Sequence, residues 1–143
     1  MMWRKAELFG DHEIAQLILA ETNPGKVKAL GRRVRNFDVA LWNANAKAAV
    51  RDGVLLKFQQ NADIKDVLLA TGDKVLVEAS PHDAIWGIGL AEADAKRTPE
   101  AQWPGTNWLG EVLMDVRAIL RRNLAASQSG SEDEDATEKL SST

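Results

Sequence analysis

Residues 74–90, KVLVEASPHDAIWGIGL, place the strongest constraint on how this chain folds. They begin with a short run of apolar and β-branched residues, which favours an extended strand. The run leads into a corner that holds one carboxylate, Asp83, and the pair Trp86-Gly87. Residues 105–117, GTNWLGEVLMDVR, then combine a glycine turn with the apolar spacing of an amphipathic helix. A carboxylate between a strand end and an indole is typical of a pocket for a flat, polar ligand.

The remaining apolar residues recur mostly at helical spacing. They predict helices over residues 1–9, 12–21, 24–34, 39–59 and 62–70. A last helix is expected to follow Asn107, with Arg117 on its outer face. The sequence therefore predicts an α+β fold that is predominantly α-helical, with a short β element around residues 74–90.

Residues 127–143, SQSGSEDEDATEKLSST, contain five acidic residues and one large apolar residue. Such a segment buries too little apolar surface to fold by itself. We therefore predict a folded domain over residues 1–126 and a disordered acidic tail over residues 127–143. The tail carries a formal charge of −4, which leaves residues 1–126 at +1 within the chain's net charge of −3, so the folded part is close to neutral. A general nucleic-acid-binding protein has a large excess of basic residues, so this near-neutral charge argues against that class.

Several classes of site and location are excluded by composition. The chain has no cysteine, and its two histidines, His12 and His82, are too scattered for a zinc signature. Gly87 and Gly89 form a GxG pair without the third glycine of a dinucleotide fingerprint. We therefore expect no metal and no cofactor. No apolar run approaches the roughly 20 residues of a membrane span, and the start lacks a signal-peptide pattern, so we expect a cytoplasmic protein without a membrane partner.

Two side chains are candidates for catalysis from their surroundings alone. Asp83 lies between the predicted strand and the Trp86 corner, where a partly desolvated carboxylate suits proton transfer or the stabilisation of a developing cation. The alternative is a turn aspartate that bonds to nearby backbone amides. Lys5 is flanked by apolar residues, so its amine is a candidate nucleophile or phosphate contact. The alternative is a lysine whose amine extends from a buried helix into solvent.

Three further side chains are candidates for binding. Trp42 and Trp86 have indole faces that suit a base or ring, although tryptophan also fills protein cores. Arg32 follows a glycine near a helix end, with other basic residues close by in the sequence. Such a cluster holds a phosphate or diphosphate, or it forms a solvated basic turn that complements the helix dipole.

Taken together and in this order, these residues resemble the NADAR family (NAD and ADP-ribose superfamily), which includes the YbiA-like N-glycosidases. The resemblance covers roughly residues 1–122, and its motifs are specific in combination rather than singly. The matching segments are WRKAELF with Lys5, NPGKVKALGR ending at Arg32, ALWNANAK with Trp42, LKFQQN, LLATGD, LVEASPHDAIWGIGL with Asp83 and Trp86, and NWLGEVLMDVR.

The resemblance implies an α-rich enzyme that hydrolyses the N-glycosidic bond between a ribose and a base-like leaving group. Implied substrates are phosphoribosylamino-pyrimidine intermediates of riboflavin biosynthesis and ADP-ribose attached to guanine, with ADP-ribosylated nucleic acid as a further candidate partner. By position, it implies that Asp83 and Lys5 are catalytic. The implied substrate-binding residues are Trp42, Trp86, Arg32 and Gly87.

The family pattern also places an FSNF-like strand and a glutamate before the lysine, at positions preceding Met1. We therefore expect an N-terminally incomplete domain. Two alternatives follow: a non-catalytic module that binds a nucleotide or ADP-ribose, or a truncated and inactive relative. The sequence gives no indication of oligomeric state.

Overall fold

The computed structural model describes residues 1–138, with side chains described for residues 1–128. The chain divides into two compact units, residues 1–53 (unit 1) and residues from 54 onward (unit 2). The boundary between them falls within a long helix. In chain order, the α-helices are α1 (Met2–Leu8), α2 (His12–Ala20), α3 (Pro24–Arg32), α4 (Val39–Gln60), α5 (Ala62–Ala70), α6 (Glu92–Ala95) and α7 (Trp108–Glu138), with a short 3₁₀ turn at Glu100–Gln102.

The described part of the chain forms no β-strand, so the predicted β element around residues 74–90, and with it the α+β class, is wrong. The reason lies in the hydrogen-bond partner of this segment. The side-chain amide of Asn107 donates to the Leu76 carbonyl at 2.9 Å and accepts from the Glu78 N–H at 3.0 Å. An amide side chain offers a donor and an acceptor, as a peptide group does. Asn107 therefore satisfies backbone groups that a neighbouring strand would otherwise pair.

Helices α1, α2 and α3 of unit 1 pack around one apolar cluster. Its buried members are Ala6, Ile14, Ala15, Ile18 and Val34, and Met2, Phe9, Val27 and Leu30 lie at its edge. The helix starts follow the sequence signals, because Asp11 caps α2 and Asn23 caps α3 directly before Pro24.

The carboxylate of Asp11 connects α2 to the turn that follows α3. Its side chain is 1% exposed. It accepts hydrogen bonds from the Ile14 N–H (3.3 Å) and from the backbone N–H (2.9 Å), Nε (3.1 Å) and Nη2 (2.7 Å) of Arg35. The hydrogen bonds from Arg35 hold the pKa of Asp11 well below its usual range, and the same pairing raises the pKa of the Arg35 guanidinium. A buried charge held in this way requires its partner.

In unit 2 the buried face of α7 carries Val112, Val116 and Leu120, as the helical spacing predicts. The prediction that Arg117 lies on the outer face is wrong, since this residue is only 6% exposed. Its Nη1 donates to the Thr71 hydroxyl at 2.8 Å and to the Lys74 carbonyl at 2.9 Å. The buried guanidinium thus bonds to two oxygens just beyond the end of α5, which compensates for its removal from water.

Helix α7 ends at Glu138, so it includes the first part of the segment for which the sequence predicts disorder. Residues 139–143 lie outside the described residues. The division into a domain over residues 1–126 and a disordered tail stays a prediction. None of the described helices has both the length and the apolar character needed to cross a membrane.

The Asp11–Arg35 pair predicts how stability depends on pH. Because the pKa of Asp11 is lowered in the folded state, the unfolded chain takes up a proton first as the pH falls. The stabilisation of the folded state by the Asp11–Arg35 pair is therefore complete above the ordinary aspartate pKa of about 4 and is lost progressively below that pH. Urea unfolding of the wild type and Asp11→Asn should show a stability difference that is largest near neutral pH and shrinks below about pH 4. Asp66→Asn is the control, since Asp66 is exposed and has no ion-pair partner among residues 1–128. A difference that stays constant with pH would contradict the pairing.

The contacts of the Asn107 side chain predict that its removal lowers the free energy of unfolding substantially. Asn107→Ala leaves the Leu76 carbonyl and the Glu78 N–H without their side-chain partner, at a cost of about 2–4 kcal/mol in the free energy of unfolding. Asn45→Ala is a matched control, because Asn45 is exposed and makes one bond within α4; we expect a change within about 0.5 kcal/mol there. Urea denaturation measures both values, and equal values for the two variants would show that the Asn107 bridge contributes little.

Candidate active-site residues

Asp83 lies in unit 2, at the start of a turn that its own carboxylate holds together. Its Oδ1 accepts hydrogen bonds from the Ile85 N–H at 2.9 Å and the Trp86 N–H at 2.8 Å. Its backbone carbonyl accepts from the Gly89 N–H at 3.1 Å. This is the backbone-bonded arrangement that the sequence offered as the alternative to catalysis. The second carboxylate oxygen, Oδ2, has no hydrogen bond among the described residues, and the side chain is half-buried. One oxygen therefore orients the group, and the other is available.

The turn is attached to the start of α7 along its whole length. Every carbonyl from residue 84 to residue 88 accepts a hydrogen bond from a backbone N–H between residues 105 and 109. The pairs are Ala84 with Thr106 (2.9 Å), Ile85 with Trp108 (3.1 Å), Trp86 with Leu109 (3.0 Å), Gly87 with Asn107 (3.1 Å) and Ile88 with Gly105 (2.8 Å). Free N–H groups at a helix start often bind anions. Here those of Trp108 and Leu109 already have partners, so they are not available to a phosphate.

The corner formed by Trp86 and Gly87 is held in a fixed position by packing. The Trp86 ring meets the Trp108 ring edge to face, with centroids 5.5 Å apart and an interplanar angle of 87°. A Cβ at Gly87 would lie 2.8 Å from the carbonyl oxygens of both Asp83 and Glu78. The absence of a side chain at Gly87 therefore lets three backbone segments meet. This role is structural, and the substrate contact predicted for Gly87 stays a prediction.

The sequence analysis identified a glycine turn and a helix start at Asn107, but it missed the contacts by which these residues support the corner. Gly105 and Gly110 are in close contact with the backbone, since a Cβ at Gly105 would overlap Gly87 and Ile88, and one at Gly110 would overlap the Leu76 carbonyl. Asn107 lies between them with a positive φ of 54°, which asparagine tolerates better than most residues. The signal was present as two glycines flanking an asparagine in GTNWLG, but only the contacts show what these residues approach.

Lys5 lies in unit 1 with its amine held on two sides. Its Nζ donates to the Gly31 carbonyl at 2.9 Å and lies 4.0 Å from the centroid of the Phe37 ring. The Trp42 ring centroid is 5.9 Å from the same nitrogen. Burial lowers the pKa of Lys5, as expected for a partly desolvated amine. Phe37 was not among the residues predicted for the site.

The two other candidates in unit 1 differ in their surroundings. Trp42 is half-buried and lines a cleft of about 130 Å³ next to an ion pair between Arg4 and Asp52 at 3.5 Å. Arg32 is the last residue of α3, is exposed, and has no hydrogen bond or ion pair among the described residues. It directly follows Gly31, whose carbonyl binds Lys5.

The structure thus groups the predicted residues by unit. Unit 1 brings Lys5 and Trp42 together, with Arg32 next to the carbonyl that binds Lys5. Unit 2 brings together Asp83, Trp86 and Gly87 in one turn. In the part of the chain with described side chains, no three histidine, aspartate or glutamate residues are grouped so as to hold a metal ion.

Comparison with known proteins identifies the family. The profile described as NADAR domain matches residues 1–121. N-glycosidase R617 from Acanthamoeba polyphaga mimivirus is 50% identical over 117 residues, which cover 82% of this chain and 69% of that protein. Protein irg-1 from Caenorhabditis elegans is 48% identical over 121 residues, covering 83% and 57% respectively. N-glycosidase Npun_R5314 from Nostoc punctiforme is 39% identical over 115 residues, covering 80% and 67%.

The chain therefore spans between 57% and 69% of the length of these three relatives. Two of them are named N-glycosidases, which is the enzyme class that the sequence resemblance implied. The family profile covers almost all of residues 1–126, and the identities are high over most of the chain. The protein belongs to the NADAR domain family.

Proposed function

We propose that this NADAR domain is an N-glycosidase that hydrolyses the bond between a ribose and a base-like leaving group. The names of two relatives support this reaction class. The observation that carries the proposal is the fixed carboxylate of Asp83, in which Oδ1 is held by two backbone N–H groups beside Trp86 and Oδ2 is left unbonded.

The chemistry of the reaction explains why such a group is useful. Cleavage of a ribosyl C–N bond passes through an oxocarbenium-like state in which positive charge develops on the sugar. The Asp83 carboxylate stabilises that charge, and its fixed orientation means that it need not reorganise during the reaction. The Trp86 indole offers a flat face for the base. In this proposal Asp83 acts on the sugar while Trp86 binds the leaving group.

The amine of Lys5 has two possible roles in the same reaction. As a nucleophile, its lone pair attacks the anomeric carbon while the C–N bond to the base breaks, and the departing base takes up the proton that the lysine nitrogen releases. The neutral adduct then opens to a Schiff base, which water hydrolyses to free the sugar and the amine. As an ammonium, Lys5 instead binds a substrate phosphate. Burial lowers the pKa of Lys5, which acts in the direction of the first role.

The remaining candidates are assigned to substrate binding. The guanidinium of Arg32 is exposed and unpaired among the described residues, as a phosphate contact requires. The Trp42 indole lines the cleft beside Arg4 and offers a second flat surface. The candidate substrates are a phosphoribosylamino-pyrimidine, ADP-ribosyl-guanine, and ADP-ribosylated nucleic acid.

Substitution of Asp83 tests the proposed reaction. In Asp83→Asn the amide oxygen still accepts from the Ile85 and Trp86 N–H groups, so the turn is kept while the charge is lost. We expect turnover to fall by about 10²-fold or more, with the thermal unfolding midpoint close to that of the wild type. Release of free base from each candidate substrate, followed by chromatography, measures the effect, and Asp66→Asn on α5 is the matched control.

Two outcomes would count against the proposal. Undiminished turnover by Asp83→Asn would exclude the carboxylate from the chemistry. Absence of turnover by the wild type, together with calorimetric binding of ADP-ribose, would instead support the non-catalytic binding module.

The role of Lys5 is tested by trapping. If its amine forms a Schiff base, borohydride added during turnover should reduce the intermediate to a stable adduct, and mass spectrometry should place that adduct on Lys5. Lys5→Arg keeps a cation but cannot form the adduct, so turnover should be lost. Lys28→Arg, at an exposed position of α3, is the control. Retained turnover by Lys5→Arg without any trapped adduct would assign Lys5 to phosphate binding.

A further inference from the structure

We propose that Phe37 is a positioning residue, whose ring holds the amine of Lys5 against the Gly31 carbonyl and so determines where that amine acts. The inference rests on the proposed function, in which the Lys5 amine takes part in the reaction. Phe37 carries no group that could do the chemistry itself, and it acts only through Lys5.

The first observation is the distance between the amine and the ring. Lys5 Nζ lies 4.0 Å from the Phe37 centroid, well inside the roughly 6 Å over which an aromatic face attracts a cation. The Trp42 ring, at 5.9 Å, lies at the limit of that range. The Phe37 ring is therefore the principal aromatic contact of this amine.

The second observation is that Phe37 is not core filler. The residue is 45% exposed. Its ring is oriented by an edge-to-face contact with the Phe9 ring, with the two centroids 5.3 Å apart. The ring is therefore only partly buried, and one aromatic neighbour orients it. Its most specific contact is the one with Lys5.

The third observation is that the backbone before Phe37 is constrained. Asn36 has a positive φ of 55°, a conformation that few residues other than glycine adopt. Arg35 is held by three hydrogen bonds to the buried carboxylate of Asp11. The turn is thus fixed immediately before Phe37, and this places the ring beside α1.

The carbonyl on the other side of the amine is equally constrained. A Cβ at Gly31 would overlap the side chain of Met2, so α3 approaches α1 as closely as it does only because residue 31 is glycine. This close approach brings the Gly31 carbonyl within 2.9 Å of Lys5 Nζ. The ring and the carbonyl therefore form two fixed sides of one position for the amine.

The contact with the ring depends on the charge of the amine. An aromatic face attracts the ammonium and has no comparable attraction for the neutral amine, while burial acts in the opposite direction and lowers the pKa of Lys5. The ionisable side chains on the helices packed against α1 are His12 and Glu13 of α2 and Lys26, Lys28 and Arg32 of α3. Arg35, beyond the end of α3, is paired with Asp11 and Glu13. His12 in turn contacts Glu7 on α1 itself.

Chemical labelling of Lys5 tests the inference without any substrate. Phe37→Leu keeps an apolar side chain of similar bulk but removes the aromatic face, so the ammonium loses a stabilising contact. We expect the rate at which an amine-specific reagent modifies Lys5 to rise about 2- to 5-fold at neutral pH, with the whole labelling profile displaced towards lower pH. Phe37→Tyr, which restores an aromatic face, should return the profile to that of the wild type.

The matched control is Phe58→Leu, because Phe58 lies 5.9 Å from the amine of a different lysine, Lys57. It should leave the labelling of Lys5 unchanged. If Phe37→Leu does not fold, Phe37→Met replaces it, with the same expectation.

An unchanged Lys5 labelling profile in a folded Phe37→Leu or Phe37→Met variant would overturn the inference, and so would an effect of equal size in Phe58→Leu. Because labelling needs no turnover, this result is independent of whether the chain proves to be an N-glycosidase.

Discussion

The hydrogen bonds between residues 84–88 and residues 105–109 are the interaction on which the candidate corner of unit 2 depends. They satisfy consecutive backbone carbonyls of an irregular segment, which would otherwise need water or a neighbouring strand. The donors of these hydrogen bonds are N–H groups at and just before the start of α7. The helix start and the loop therefore satisfy each other's backbone hydrogen-bonding groups. Asp83 and Trp86 owe their fixed positions to this pairing, because both belong to the segment that it holds.

In unit 1 the fixed position comes from an ion pair between the buried carboxylate of Asp11 and the exposed side chain of Arg35. The Asp11 carboxylate caps α2 and binds Arg35 through both backbone and side chain. A buried carboxylate with so many donors defines one conformation for the turn after α3, since any other conformation would leave its charge unpaired. The conformation of this turn determines where Phe37 lies, and the Phe37 ring contacts the amine of Lys5. A polar network at the edge of the core thus controls the surroundings of a proposed reactive group.

Most of the helices were predictable from local sequence, because apolar spacing and caps are local signals. The side chains of Asp11, Asn23 and Asp38 each accept a hydrogen bond from a backbone N–H at a helix start, which is a common role of these residue types. The β element was wrong because β-branched residues favour an extended backbone but do not specify its partner, and here the partner is the side chain of Asn107. Arg117 was misplaced for a related reason, since its acceptors, Thr71 and Lys74, are distant in sequence.

For the candidate site, the sequence by itself determined the residue types: a carboxylate, an amine, two indoles and an arginine, in an order typical of the NADAR family. Only the tertiary structure decided that one oxygen of Asp83 is used by the backbone, and that Phe37 and the Gly31 carbonyl surround the amine of Lys5. The physical reason is that helix periodicity and capping act over a few residues, so they can be read locally. Contacts such as Lys5 with Gly31 join residues 26 positions apart, and they exist only after the helices have packed.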